Sequence, residues 1–481
     1  MVHKDLWYYV AAGIGIALTF GFGHLPPFEP LTPIGMKVLG IFLGMIWLWS
    51  SVSILWPSLM GLIALIVSGY APLADILKMS FGETVPILIL FAMVLFGAIQ
   101  HSGVTRYISR WFLTRKIING KPVMFSFVFM YATYVLAALS ANILPVLLFM
   151  WATLYGVLKD AGYKKGDKYT AIMVIGTMFA AISGQAAKPF TGSALLITGA
   201  YEKIALAQVN YLQYMVFGFI MSTLGIMAYA LLIKFAFRPD MSKIQDINIE
   251  RFNREKLPPM DTRQKIMLVS LFGYLILVLL PSILPKTLPG VEFLAKLGPL
   301  GVVIVFIAVL SFFKLEGKPI INFGEIAGKY VIWDVVFLVY TVMALASAMT
   351  SSQTGISEFL LTLFSPALGG HSPLIFMVVL IILGLSLVQV SSNGLTGVLL
   401  MPVVKVFSEQ AGVSFEAAAT LLIFVLHISI LTPAGSPYAA ILYENKAWVS
   451  KQEVLKYGFA ICVLTISLFI VAGIPCMNLI Y

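Results

Sequence analysis

Four short polar stretches lie inside otherwise apolar sequence, and their residue types suit the capture of an anion. The first is Ser140-Ala141-Asn142, followed by Ile143-Leu144-Pro145. The second is Ser392-Asn393-Gly394, followed by Leu395-Thr396. The third, from Ser183 to Ser193, contains Gly184, Lys188, Pro189, Thr191 and Gly192. The fourth, from His427 to Pro437, contains Thr432, Pro433, Ala434 and Gly435. Asparagine amides and serine or threonine hydroxyls can donate hydrogen bonds to carboxylate oxygens. A helix that starts at a break aims free N–H groups and a partial positive charge at the gap. The first two stretches are copies of one design, and the last two are copies of another. Interruptions at corresponding positions of two halves of a membrane chain point to a transporter's binding site.

Charge inside the apolar runs sharpens this. Carboxylates are absent from their centres: Asp75, Glu83, Asp334 and Glu416 all lie near ends. A cation or proton carrier normally needs a buried carboxylate, so proton/cation antiport is disfavoured. Lys188 has the opposite sign and sits midway through the run 169–200, beside Pro189. Two readings of it stay open, a lysine that snorkels to an interface and a fixed positive charge facing an anionic substrate. His427, in the paired segment, reads equally well as a packed neutral imidazole and as a second substitute for a coupling cation. A membrane-embedded enzyme would need a nucleophile with its base, or metal ligands. His3, His24, His101, His371 and His427 are scattered without helical His-Glu spacing. There is no Gly-Lys-Ser/Thr nucleotide loop, which speaks against ATP-driven transport. Oppositely inserted hairpins suit alternating access better than a channel.

The elements that must position these residues follow from hydropathy. Hydrophobic residues make up 60% of the chain and charged residues 11%, against about 25% charged in soluble proteins. This predicts an all-α integral membrane protein. The first apolar run, 6–23, lacks a small-x-small cleavage site and is read as a retained helix. The run 36–69 is long enough for two helices, and Trp47, Trp49 and Trp56 suggest an interfacial turn near Ser50-Ser51. The units 123–158 and 373–408 are each too long for one crossing and carry a polar break near the centre. Two arms of about fifteen residues rise roughly 23 Å each, past the midplane and back, so both are predicted to be re-entrant hairpins. Pro145 suits the first turn of a return arm. The runs 169–200 and 417–443 should each unwind near the midplane. Cys462 and Cys476 read as packing residues.

Basic residues set the orientation. The net charge of +10 is explained by cytoplasmic loops rather than by nucleic acid. Arg106, Arg110, Arg115, Lys116 and Lys121, with Trp111 and Phe112, suggest an amphipathic helix on the inner surface, while 353–372 has no Lys or Arg. Lys159, Lys164, Lys165 and Lys168 follow the first break, and only Lys405 follows the second. The first hairpin should therefore enter from inside and the second from outside. The expected organisation is an N-terminal helix (1–33), a first inverted repeat (34–237), a cytoplasmic linker (238–263) and a second inverted repeat (264–481), with a cytoplasmic N-terminus at the cell membrane.

With these features the chain resembles the divalent anion/sodium symporter family over most of its length. Ser392-Asn393 matches the first two positions of that family's Ser-Asn-Thr hairpin motif, with Gly394 in place of Thr; Ser140-Ala141-Asn142 is a looser match, and Thr432-Pro433 resembles its Thr-Pro loop. The resemblance implies about eleven transmembrane helices plus two re-entrant helical hairpins in an inverted repeat, a homodimer in lipid, and an elevator mechanism. It implies di- or tricarboxylate substrates such as succinate, malate, 2-oxoglutarate or citrate, contacted by Asn142 and Asn393. The wider substrate set is Ser140, Ala141, Lys188, Pro189, Thr191, Ser392, Gly394, Thr396, Thr432 and Pro433. No cofactor is expected. If sodium is coupled, Ser140, Asn142, Gly184, Ser392, Asn393 and Ala434 are its candidate ligands. A tethered Lys188 ammonium cannot leave with substrate, and carrying it back unpaired would cost at least several kcal/mol. That predicts sodium-independent exchange of dicarboxylates, with sodium-coupled symport as the alternative.

Overall fold

Among the described residues, ten helical stretches are long and apolar enough to cross a bilayer unaided. The structure, a computed structural model, describes residues 2–113, 118, 120–190, 192–245, 258–285, 287–433 and 435–481. Thr191, Ala434, Arg115, Lys116 and residues 246–257 of the central linker lie outside the described residues.

The first part of the chain forms α1 (Val2–Gly21), α2 (Pro33–Ser51), α3 (Leu55–Val67), α4 (Leu73–Ser80), α5 (Thr84–His101), α6 (Val104–Leu113), α7 (Pro122–Ala138), α8 (Ile143–Asp160), α9 (Lys168–Ala186), α10 (Gly192–Ala205) and α11 (Tyr211–Leu232). The short α12 (Ser242–Gln245) precedes the second part. There follow α13 (Thr262–Ile283), α14 (Pro289–Phe312), α15 (Phe323–Tyr330), α16 (Trp333–Thr350), α17 (Ile356–Leu368), α18 (Pro373–Val388), α19 (Asn393–Gln410), α20 (Phe415–Leu426), α21 (Pro437–Glu444), α22 (Lys451–Leu468) and α23 (Ile474–Ile480). Local signals start many of them. Thr32 caps α2 ahead of a first-turn proline, and Asp261 and Ser450 close capping boxes with Gln264 and Glu453. Gly298, at φ +60°, and Pro299 kink α14.

The expected hairpins are present. Ser126, near the start of α7, meets Tyr169 near the start of α9 (Oγ to OH, 2.8 Å), and farther along Tyr134 packs its carbonyl against Gly184. The chain then returns along α8, where Trp151 Nε1 donates to Val174 O at 3.0 Å. Both ends of the α7/α8 pair thus lie beside the start of α9. In the second pair, α18 climbs along α20, with Gly384 against Leu422, and Gln389 at its end reaches Ile428 O at 2.8 Å. The return arm α19 descends until Lys405 Nζ lies 5.5 Å above the Phe415 ring, at the start of α20. Phe415 also packs on Tyr201 at the end of α10 (centroids 4.7 Å apart). Since α9 and α10 together run from one face to the other, the hairpins open on opposite faces. Setting aside the hairpin arm α8 leaves nine of the ten long stretches; counting the shorter α3 and the broken helix α20–α21 as crossings gives eleven among the described residues.

One face collects the basic residues. Lys243 Nζ donates to Gly162 O at 3.2 Å and Tyr163 OH to Asp240 O at 2.9 Å, tying the α8–α9 loop to the segment after α11. Elsewhere the structure refines the sequence reading. Trp49 is a buried core residue whose Nε1 donates to Ser58 Oγ at 3.0 Å, joining α2 to α3, so it is no interfacial anchor. The turn lies at 52–54, just past Ser50-Ser51. The amphipathic α4 and α15, and the tight hairpin Lys314–Pro319, are too short to register as apolar runs.

Candidate functional site

The two hairpin tips and the two helix breaks meet in the middle of the protein. Each link is a contact between residues far apart in the chain. Lys188, in the α9–α10 break, donates from Nζ to Ser140 O at the tip of the first hairpin. Ser193 Oγ, at the start of α10, lies 3.0 Å from His427 Nε2 in the α20–α21 break. Thr432 Oγ1, in the same break, donates to Gln389 O at the tip of the second hairpin. Gly394, in the first turn of α19, packs back on Ser193 and Leu196 of α10. Across the site, Gln185 Nε2 reaches Tyr438 OH at 3.4 Å.

Lys188 is 4% exposed, which rules out snorkelling to an interface. Its ammonium also lies 4.9 Å from the centroid of the Phe96 ring on α5, a favourable placement of a cation over a π face. The carbonyl it holds closes the C-terminal end of α7, the negative pole of that arm. A cation is the natural partner for a half-helix C-terminus inside a membrane. The negative end of α7 is thus matched by an amino group covalently tied to the protein.

Four helices begin here: α8, α10, α19 and α21. Their N-terminal ends supply about half a positive charge each. The side chains at two of them are arranged so that donors remain. Asn142 Oδ1 accepts from Leu144 N at 2.9 Å, capping α8, and Asn393 Oδ1 accepts from Gly394 N at 2.9 Å. With the oxygens engaged by backbone N–H groups, the Nδ2 groups are the amide atoms left to donate. Among the described residues neither Nδ2 group has a partner, and both residues are partly exposed. The tips therefore present amide N–H donors and helix N-termini, the donor set that suits an anion with two carboxylates.

Other residues serve the backbone. His427 Nδ1 lies 2.7 Å from Ile423 O. An N–H donating there leaves Nε2 to accept from Ser193, so the imidazole is fully used as a bridge between the breaks. Gln389 holds the second break: its Nε2 donates to Leu385 O and Ile428 O, and its Oε1 accepts from Ile430 N and Leu431 N, at 2.8 to 3.2 Å. Thr396 Oγ1 donates to Ser392 O within its own helix at 2.9 Å, and Ser392 Oγ caps Leu395 N at 3.5 Å. Ser140 Oγ likewise donates to Leu136 O at 2.7 Å. Ala141 and Pro189 are buried at the tip and in the break, and Pro433 is exposed. Gly184 lies inside α9, where a Cβ would come 2.3 Å from Tyr134 O; it is a close-packing position between α9 and the hairpin. At Gly394 a Cβ would come 2.9 Å from Leu196 Cδ2, so a larger residue at the third position of the second tip would have to displace that side chain.

A family model described as the sodium:sulfate symporter transmembrane region matches residues 3–480. The chain belongs to the sodium:sulfate symporter family. Sodium-dependent dicarboxylate transporter SdcS from Staphylococcus saprophyticus is 25% identical over 468 residues, covering 91% of this chain and 86% of the relative. The crystal structure of the Alcanivorax borkumensis YdaH transporter, titled as revealing an unusual topology, aligns with a TM-score of 0.51 at 14% identity, covering 92% of this chain and 97% of that one. That likeness concerns the fold. This protein is accordingly a membrane transporter of the sodium:sulfate symporter family, and not an enzyme.

Within the family frame, four residues of the site escaped the sequence reading. Gln389 and Phe96 left a weak signal or none: a single amide at the end of an apolar run, and one phenylalanine among many. Ser193 stood in the third polar stretch without a role. Ser429, in the fourth, has a buried Oγ with no protein partner among the described residues, although its carbonyl accepts from Ser436 Oγ at 3.0 Å.

Proposed function

We propose that this protein exchanges dicarboxylates, such as succinate, malate and 2-oxoglutarate, across the cell membrane without sodium coupling. One observation carries the reading: the Lys188 ammonium occupies the carbonyl end of the first hairpin arm. A mobile cation placed there would leave with the substrate and allow an empty carrier to return. A tethered one stays, and the empty carrier must take an unmatched buried charge through the barrier at a cost of several kcal/mol. Binding a second dianion removes that cost. Asn142 and Asn393 contact the two carboxylates, aided by the N-termini of α8 and α19. Residues 34–237 and 264–481 act as inverted repeats. The hairpins and broken helices move together against the remaining helices as an elevator, in a homodimer, with the basic face and the N-terminus in the cytoplasm.

The test is uptake of labelled succinate into proteoliposomes. Expected is uptake that requires internal 2-oxoglutarate and is unchanged by a sodium gradient. Sodium-driven uptake into vesicles without internal dicarboxylate would overturn exchange. That outcome would favour the second reading, sodium-coupled di- or tricarboxylate symport. The sodium dependence of SdcS supports it, as does the Ser429 hydroxyl, which has no partner among the described residues and offers an oxygen to an ion at the second break.

A further inference from the structure

Away from the substrate site, the basic face carries a groove of about 410 Å³ between the first arm of hairpin α7/α8 and the end of α11. Its walls are Val123, Met124 and Phe127 from α7, and Met227, Ala230 and Leu231 from α11; Lys121 and Lys234 complete the lining. Both lysines are exposed, and neither is ion-paired among the described residues. Met227 and Leu231 are 44% and 46% exposed, so the apolar wall is open to the surroundings.

We propose that this groove binds one phospholipid with an anionic headgroup, its phosphate at Lys121 and Lys234 and an acyl chain along the apolar wall. Charge and depth both argue for this occupant. Met227 lies two helical turns from Lys234, roughly 10 Å along the axis, which places methionine and phenylalanine where hydrocarbon lies and the lysines at headgroup level. Lys121 immediately precedes α7, whose first turn supplies Val123 and Met124. The N-terminus of a 17-residue helix thus adds its partial positive charge beside the two ammonium groups. Basic pockets between membrane helices on the cytoplasmic side are suited to anionic headgroups. A soluble anion would gain nothing from the apolar wall, and a neutral lipid would leave the lysines unmatched. The lipid would rest on α7, the arm that carries Ser140 and Asn142 at its far end, and so would brace the hairpin.

The experiment uses the full-length protein, delipidated in detergent and titrated with phosphatidylglycerol or phosphatidylcholine. Retained lipid is counted by native mass spectrometry, and the melting temperature is followed in parallel. Phosphatidylglycerol should be retained in preference and should raise the melting temperature. Each near-surface lysine is worth about fivefold in affinity for an anionic lipid, so Lys121→Gln/Lys234→Gln should weaken phosphatidylglycerol binding about 30-fold and leave phosphatidylcholine unaffected. Ala230→Trp, which fills the groove, should abolish retention of both lipids. Lys318→Gln/Lys329→Gln, on the same face away from the groove, should change neither. The proposal is overturned if the groove variant keeps wild-type preference, or if the distant pair lowers it equally. It also fails if inorganic phosphate alone reproduces the thermal shift, or if Met227→Cys crosslinks two copies through the groove. None of these readouts depends on what the protein transports.

Discussion

Replacing Lys188 by glutamine isolates the charge on which the exchange reading rests. The glutamine amide keeps a donor that can reach toward Ser140 O, so the hairpin loses its cation while the tip retains a polar neighbour. Two consequences follow from the position of the ammonium between the end of α7 and the tip donors. The first is affinity. At an effective dielectric constant near 20, a unit charge attracts a carboxylate 4 to 8 Å away by about 4 to 2 kcal/mol. Its removal should therefore raise the KM for succinate by roughly 30- to 1,000-fold. The second is coupling. Without a tethered charge the empty carrier no longer meets the several-kcal/mol barrier to return. Net uptake into vesicles lacking internal dicarboxylate should then approach the rate with preloading. The assay is labelled succinate influx into proteoliposomes, with and without 2-oxoglutarate inside, for protein that remains monodisperse by size exclusion. A variant with KM within threefold of wild type and an unchanged need for internal substrate would refute the tethered-charge argument. Higher KM with retained strict exchange would keep the charge in binding and remove it from coupling.

Other expectations are more local. Asn142→Asp preserves an oxygen to cap α8 but replaces the amide donor with an anion; the protein should fold normally and lose succinate affinity by more than about 100-fold, whereas Asn142→Ala should also lower the melting temperature through loss of about 1 kcal/mol of capping. Gln389→Ala leaves the buried N–H of Ile430, the half-buried N–H of Leu431 and the carbonyl of Ile428 without their partner. At about 1 to 3 kcal/mol for each orphaned group, it should markedly lower thermal stability in detergent, and an unchanged melting temperature would show that the second break holds itself. Gly394→Thr should impair folding or transport through contact with Leu196, and Leu196→Ala should restore it; failure of that rescue would mean the glycine serves backbone conformation at the tip instead. His427→Ala should lower stability with little change in sodium response, since the ring bridges Ser193 and Ile423 O.

Much of this architecture was legible along the chain. Apolar runs of bilayer length specify membrane helices because every backbone polar group must be satisfied without water. The same constraint makes a polar interruption at mid-run conspicuous, which is why Ser140-Ala141-Asn142, Ser392-Asn393 and the segments around Lys188 and Thr432 stood out. The asymmetry of lysine and arginine around the hairpins matched their opposite insertion. Short amphipathic pieces such as Leu73–Ser80 went unseen because eight residues leave little periodicity to read.

What tertiary structure alone decided is partnership. Lys188 as a residue type was compatible with an interface or a site, and only the fold put its ammonium on Ser140 O. His427 resembled a candidate charge until its two nitrogens were found between Ile423 O and Ser193. Glycine at position 394 looked like a departure from a motif until Leu196 of α10 was placed against it. The asparagine amides were visible as residues, but which amide atom of each is left over depends on the backbone N–H its oxygen engages. The sequence determined which segments cross, turn back and break, because hydropathy and helix termination are local properties. The pairing of breaks and tips depends on helices that meet across the protein, and no local pattern encodes which atom of one meets which atom of another.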